Sequence, residues 1–319
     1  MNDNLENLLR STAQLYHMEG LSQTEIADLF GVSRPKVSRL LTRARELGIV
    51  RIWVDEYDPR NRELEEELET HFHLNNVIVT GILGENSLES IRRSIGYFAA
   101  TEVSQWIHSN MVIGVAGSRT LHRLIQNLKS AIETRGVIAV QLMGNIGVEV
   151  NNFDAIELCR DLAKLYSGSY FTLNAPALAP DIPSYKTYMA HQDVAAIWDL
   201  FGSMQTAFVG LGSLLDSSFI ERGVLKPEEV KLLRKSGAVG ELCGRFFNRF
   251  GQECETEFRD RMVGIHLDEL REKRDVVAVT IGKARAEAIC AALQGGLIKS
   301  LIMDEAGARA VLALAQEIR

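Results

Sequence analysis

Apolar positions change their spacing along this chain, and the changes divide it. Over Asn4–Glu19, Leu5, Leu8, Leu9, Ala13 and Tyr16 recur at helical spacing, predicting an amphipathic helix that ends near Gly20. Ser22-Gln23-Thr24-Glu25 then reads as a capping box, in which the serine oxygen and the Glu25 carboxylate satisfy each other's backbone amides. The helix it opens is expected to turn Ile26, Ala27, Leu29 and Phe30 inward. Gly31 stops it by supplying the left-handed conformation of a tight turn. Ser33 suits the N-cap of a third helix, with Pro35 in its first turn, where a missing N–H costs nothing. Val37, Leu40, Leu41 and Ala44 form that helix's buried stripe. After Gly48, Ile49–Val54 alternates like a strand and suggests a small wing beside the helices.

Asp58-Pro59 breaks the pattern. Asn61–His71 follows, with Leu64 and Leu68 as a narrow apolar seam among acids. Such a helix could lie on a second domain or meet a second copy. From Val77 onward, short β-branched runs alternate with helical segments. The runs are Val77–Thr80, Met111–Val115, Gly136–Leu142, Thr206–Val209, Val276–Val279 and Leu297–Met303. Helices are expected over Ser87–His108, Thr120–Thr134, Asp154–Leu165, Asp193–Gly202, Arg285–Leu293 and Glu305–Glu317. Strands alternating with helices predict a doubly wound α/β domain, a parallel sheet covered on both faces. The expected division is residues 1–56 as a helix-turn-helix (winged-helix-like) domain, 57–75 as a linker helix and 76–319 as an α/β domain.

With 319 residues, 46% hydrophobic and 24% charged, the chain has the size and composition of a soluble two-domain protein. No apolar run approaches the roughly 20 residues of a membrane span, and the start, MNDNLENLLR, lacks the order of a secretory signal. A cytoplasmic protein without membrane partners is expected. Cys159, Cys243, Cys254 and Cys290 form no CxxC pair, so buried free thiols are expected rather than a metal site, and no cofactor is implied. A net charge of −7 would argue against nucleic acid if it were evenly spread. It is not: Arg34–Arg45 holds five basic residues and no acid, while acids gather at Glu63–Glu69.

That basic stretch is the third predicted helix, so two short helices joined by a glycine turn present an Arg- and Ser-rich face, as a DNA-reading helix-turn-helix does. The residues left outside its core stripe include Arg34, Lys36, Ser38 and Arg39, near the end that enters a major groove, and Arg43 and Arg45, placed to meet phosphate. Gln23, Thr24 and Ser33, at the starts of the second and third helices, complete the candidate contacts with double-stranded operator DNA.

In open parallel sheets, ligands bind at the carboxyl ends of the strands. Those ends are polar here: Gly117-Ser118-Arg119-Thr120, Gln141–Asn145, Gly210–Ser213, Gly240-Glu241 and Gly282–Arg285. Glu241 and Gln141 suit sugar or polyol hydroxyls, whereas Arg119, Lys283 and Arg285 suit phosphate. An isomerase-like enzyme could draft Glu241 or Asp181 as a base, but no His–carboxylate pairing supports one. A purely architectural DNA binder would leave the polar strand ends without a use.

The segments GLSQTEIADLFGVSRPKVSRLLTRARELGIV, GVAGSRTL, VQLMGNIG, NAPAL, VGLGSL, GAVGELCGRFF and IGKARAEAICAALQGGLIKSLIMDE together resemble, almost end to end, the SorC family of sugar-responsive bacterial regulators. The resemblance implies an effector domain related in fold to sugar-phosphate isomerases and used for sensing. It also implies homo-oligomers, dimers or commonly tetramers, on paired operator sites. By position, the head-group loop falls on Gly117, Ser118, Arg119 and Thr120, the hydroxyl-binding carboxylate on Glu241 and a further polar contact on Gln141. Many members read serine-tryptophan-glycine where this chain has Ala116-Gly117-Ser118. A lysine usual before the final helix is replaced by Arg285, with Lys283 two residues earlier. A cation is kept, but a planar fork replaces a point charge.

Overall fold

A computed structural model describes residues 3–55, 57–81 and 87–317. The chain forms two compact units, Met1–Asp58 and Pro59–Arg319. In the smaller unit, α1 (Asp3–His17), α2 (Gln23–Phe30) and α3 (Arg34–Glu46) close around two small clusters. Leu9 and Ala13 of α1 meet Leu40 and Ala44 of α3, while Ile26 and Ala27 of α2 meet Val37 and Leu41. The Ser22–Glu25 capping box forms in both directions, and Gly31 adopts φ 62 in the turn. Ser33 occupies the N-cap of α3 with an extended backbone, although its side chain makes no capping hydrogen bond. Leu29 is exposed rather than inward, because α2 is only two turns long and Ile26 and Ala27 already fill its contact with α3. The expected wing strand is absent among the described residues. Ile49 and Val50 fold back on the α1–α3 cluster, and Arg51–Asp55 forms no strand. A lone extended segment has no neighbour to take its backbone N–H and C=O groups, so alternation alone does not make a strand.

The larger unit begins with α4 (Arg62–Phe72), whose N-cap Asn61 accepts from the Leu64 amide at 3.2 Å. Leu64 and Leu68 are buried, and α4 packs on the first strand and on the C-terminal helix Glu305–Glu317. The helix expected as a linker is thus laid on this unit's own surface. Buried Glu65 holds it there, accepting from the Val79 amide at 2.8 Å and from Arg60 at 2.7 Å.

The strands are β1 (Asn76–Thr80), β2 (Val112–Val115), β3 (Ile138–Gln141), β4 (Ser169–Phe171), β5 (Thr206–Val209), β6 (Leu211–Ser213), β7 (Ala238–Leu242), β8 (Arg245–Asn248), β9 (Asp275–Val279) and β10 (Ser300–Asp304). Seven of them make one parallel sheet in the order β1-β10-β9-β5-β2-β3-β4. Alternate residues of a strand enter opposite cores: Val77 and Val79 one, Ile78 the other; Val112 one, Ile113 and Val115 the other. Burial on both faces is what the near-continuous apolar runs require. Two predicted helices differ. Ser87–His108 is broken at Ala99 into Leu88–Phe98 and Ala100–Trp106, and the helix after β2 ends at Ile125.

Strands β6, β7 and β8 form a separate antiparallel sheet in which Gly212 faces Glu241 and Glu241 faces Phe246. Its anchor is Arg245, fully buried, which donates to the Ile265 and Gly264 carbonyls at 2.7 and 3.1 Å and pairs with Glu253 at 2.8 Å. The segment so held bonds back to the end of β3, Ile265 N–H to the Leu142 carbonyl and Gly144 N–H to the Val263 carbonyl. All four cysteines are buried and unbridged. Among the described residues, no helix is long and apolar enough to cross a membrane.

Candidate functional site

On α3, the core takes Val37, Leu40, Leu41 and Ala44 and leaves Ser33, Arg34, Lys36, Ser38, Arg39 and Arg43 exposed on the other face. Thr24 at the start of α2 is exposed and Gln23 partly so. Local bonds hold part of the surface in place: Arg39 Nε donates to the Pro35 carbonyl at 3.3 Å, and Arg43 pairs with Glu46 at 2.9 Å. Pairs this exposed yield readily to a phosphate or a base edge. The residues expected to contact DNA are therefore open to solvent wholly or in part, and Arg45 is exposed as well.

In the large sheet the chain leaves β2 toward β3 and β4 on one side and returns through β5 on the other. The β2–β5 boundary is therefore the topological switch point, where the loops diverge and leave a crevice. A pocket opens there, lined by residues from the ends of β2, β3, β5 and β9 and from β7. Gly117, Ser118, Arg119, Thr120, Gln141, Glu241 and Arg285 all line it. Lys283 does not. It is exposed on the turn after β9, while Arg285 points inward two residues on, so the expectation for Lys283 is corrected.

Close approach shapes this end of the sheet. A Cβ on Gly210 would lie 2.7 Å from the Ser118 Cβ, so only glycine lets the β5 loop pass the β2 loop. Ser118 caps the helix Arg119–Ile125, its hydroxyl accepting from the Leu121 amide at 3.3 Å. Gln141 is buried: its Oε1 accepts from the Leu173 amide and its Nε2 donates to Asn145, both at 3.0 Å. One amide hydrogen of Gln141 stays available for a ligand hydroxyl.

Glu241 keeps a little surface toward the cavity, but its carboxyl is enclosed by protein. Burial pushes its pKa above the ordinary carboxylate range, against hydrogen bonds from the Ser217 hydroxyl at 2.8 Å and the Gly244 amide at 3.0 Å. Asp181 is elsewhere: it caps the helix Ile182–Met189 and is not part of the pocket lining.

The lining is also cationic and includes residues that the sequence did not single out. Arg92, from the helix Leu88–Phe98, lines the pocket with Arg119, Arg222 and Arg285. Arg119 pairs with Glu221 and lies 4.7 Å over the Phe153 ring, whose surroundings also include Arg222 at 5.5 Å. Arg222 is tied to Asp154 and to the Ile146 carbonyl at 2.9 Å. Arg285 donates to the Ile281 carbonyl at 2.8 Å and reaches Asp216 at 3.5 Å. Its turn is set by buried Asp304, which accepts from the Gly282 and Gly307 amides. Arg92 escaped the sequence reading because an arginine on an amphipathic helix carries no local sign of which way it faces, and Arg222 because it lies in the turn that ends the short helix Ser218–Glu221.

Residues 59–313 match the Sugar-bind family, a sugar-binding domain, and residues 13–60 match the MarR family. The chain is 30% identical to the uncharacterized transcriptional regulator YjhU of Escherichia coli (strain K12), across 94% of this chain and 92% of that one. It is 28% identical to the deoxyribonucleoside regulator of Bacillus subtilis (strain 168), across 96% and 97%. The full-length sorbitol operon regulator SorC of Klebsiella pneumoniae superposes with a TM-score of 0.76 at 26% identity, covering 96% of this chain and 98% of that one. With its helix-turn-helix, its parallel sheet and its sugar-binding domain matched along nearly the whole length, this chain belongs to the SorC family of transcriptional regulators.

Proposed function

We propose that this regulator controls a carbohydrate or polyol catabolic operon and that a phosphorylated sugar or polyol, bound in the pocket at the β2–β5 boundary, sets its affinity for operator DNA. The observation that carries this reading is the polarity of the pocket. Glu241, Gln141 and Asn145 bring hydroxyl-binding groups to its lining, and Arg92, Arg119 and Arg285 bring guanidinium groups to the same lining. A polyol carrying a phosphate matches that combination, since planar forks suit phosphate and buried carboxyl and amide groups suit hydroxyls. Relatives named for deoxyribonucleosides, sorbitol and erythritol agree with a polyhydroxylated effector.

On the DNA side, Arg34, Lys36, Ser38 and Arg39 meet base edges, while Arg43 and Arg45 meet phosphate, with Gln23, Thr24 and Ser33 at the helix starts closing on the backbone. The protein acts in the cytoplasm as a homo-oligomer, a dimer or tetramer, on paired half-sites; each added contact set multiplies affinity without any new chemistry. The domain limits proposed are 1–58 for DNA binding and 59–319 for sensing and assembly, following the contact boundary. The test is a thermal-shift panel of sugars, polyols and their phosphates. A ligand at 100 times its Kd adds about 2.7 kcal/mol, roughly 5–10 °C for a unit of this size. A response confined to phosphates supports the reading; a response to neutral polyols alone contradicts the phosphate, and no response contradicts the sensor.

A further inference from the structure

We infer that Arg92 is an effector-binding residue, gripping the phosphate of the ligand together with the Gly117–Thr120 loop and thereby setting the preference for a phosphomonoester over its neutral parent sugar. The inference rests on the proposed effector class. Arg92 lies in the second turn of the helix Leu88–Phe98, its side chain 13% exposed, and it lines the pocket. Its Nε is buried with no hydrogen-bond partner among the described residues. Its ion pair with Glu89, Nη1 to carboxylate at 3.6 Å, is long, and the same carboxylate is shared with Arg93 at 3.5 Å and with Arg123, whose Nε donates to it at 2.8 Å. Three guanidinium groups therefore draw on one carboxylate, and its short hydrogen bonds go to Arg123.

Arg285, also in the pocket lining, repeats the situation. Its Nε is also buried and without a partner among the described residues, and its nearest carboxylate oxygen is at 3.5 Å. Burial depresses the pKa of Arg92, and the charges of Arg119 and Arg285 add to the depression, opposed by Glu89. A fold gains nothing on its own account from like charges gathered around unmade hydrogen bonds. An anion placed among them supplies the missing acceptors and the missing charge together.

The geometry of the donors selects the class of anion. Arg92 comes from a helix after β1, Arg285 from the turn after β9, and Ser118, Arg119 and Thr120 from the loop after β2. Donors arriving from three elements suit the tetrahedral oxygens of a phosphate better than the two coplanar oxygens of a carboxylate. The phosphomonoester dianion also carries the charge that three guanidinium groups call for.

The experiment compares the full-length parent with Arg92→Gln and Arg92→Lys, using inorganic phosphate and ribose 5-phosphate as probes in calorimetric titrations and recording each unliganded Tm. Arg92→Gln is expected to weaken both probes about tenfold or more, while the unliganded Tm is unchanged or higher because repulsion is relieved. Arg92→Lys restores charge without Nε and is expected to bind with intermediate affinity; it also reports on the site should the glutamine variant not fold. A merely structural Arg92 gives the opposite pattern, a lower Tm with phosphate affinity unchanged, and overturns the inference alone. If the parent binds neither probe at millimolar concentration, the anionic effector falls and this inference with it.

Discussion

Gly31, Arg39 and Glu241 each do a task that their residue type alone permits, and two of them were readable from the sequence with their reasons. Gly31 sits at φ 62 with open space where a Cβ would be, so its role is conformational and not steric. Arg39 is exposed, and its Nε donates to the Pro35 carbonyl. Arg39→Ala is expected to leave the fold intact and to lower specific operator affinity by about 1–3 kcal/mol, roughly 5- to 160-fold, with the effector-induced thermal shift retained. Fluorescence anisotropy on labelled operator checks this, and unchanged specific binding would remove α3 from the groove. Glu241 was legible as a polar strand end, but its burial was not. Its raised pKa means that between the ordinary carboxylate range and the folded value, the folded chain holds more protons than the unfolded one. Stability then falls as pH rises through that window, by at most about 1.4 kcal/mol per pH unit for one group. In Glu241→Gln that contribution is gone, so the Tm of the variant relative to the parent should rise with pH. Asp275, also raised by burial, stays in both chains and cancels in the comparison.

At the scale of elements, most of the parallel sheet announced itself because its strands are buried on both faces and read as near-continuous apolar runs, whereas the edge strand β4, exposed along its length, carries no such run and went unread. The antiparallel β6–β8 sheet did not: Leu211–Ser213 has a glycine at its centre, and β8 opens with Arg245, an arginine whose burial is compensated only by carbonyls and a carboxylate distant in sequence. The break at Ala99 was equally silent, since helical periodicity runs through it. The helix Leu88–Phe98 meets the helix Arg119–Ile125 at Gly96, where a Cβ would come within 2.5 Å of the Arg123 backbone. This contact sets the distance between Arg92 and Arg119, one on each helix. Gly96→Ala should push the helices apart, cost roughly 1–3 kcal/mol in thermal unfolding and weaken effector binding, although residue 96 lines no part of the pocket. Titration of the folded variant with a sugar phosphate gives the answer; wild-type affinity would mean that the helix pair does not position the cations.

At the scale of the whole molecule, an acidic chain carries a basic helix, and a sugar-binding domain is joined to it. The division of labour was visible in the sequence because charge and periodicity change together near Asp58. Of the pocket's cations, Arg119 and Arg285 were visible at strand ends, whereas Arg92 and Arg222 were not. Operator affinity should fall steeply with salt, the slope of log affinity against log salt approaching −0.9 for each phosphate contact. Arg43→Ala should reduce that slope by about one, and an unchanged slope would place Arg43 away from the backbone. Coupling between effector and operator needs only about 1.4 kcal/mol for a tenfold change, and it must be reciprocal. The direct test is therefore operator affinity measured with a sugar phosphate that stabilises the protein, with its unphosphorylated parent sugar, and with neither. The account predicts a change of about tenfold or more with the phosphate alone. Equal operator affinity in all three, with the phosphate demonstrably bound, would contradict it.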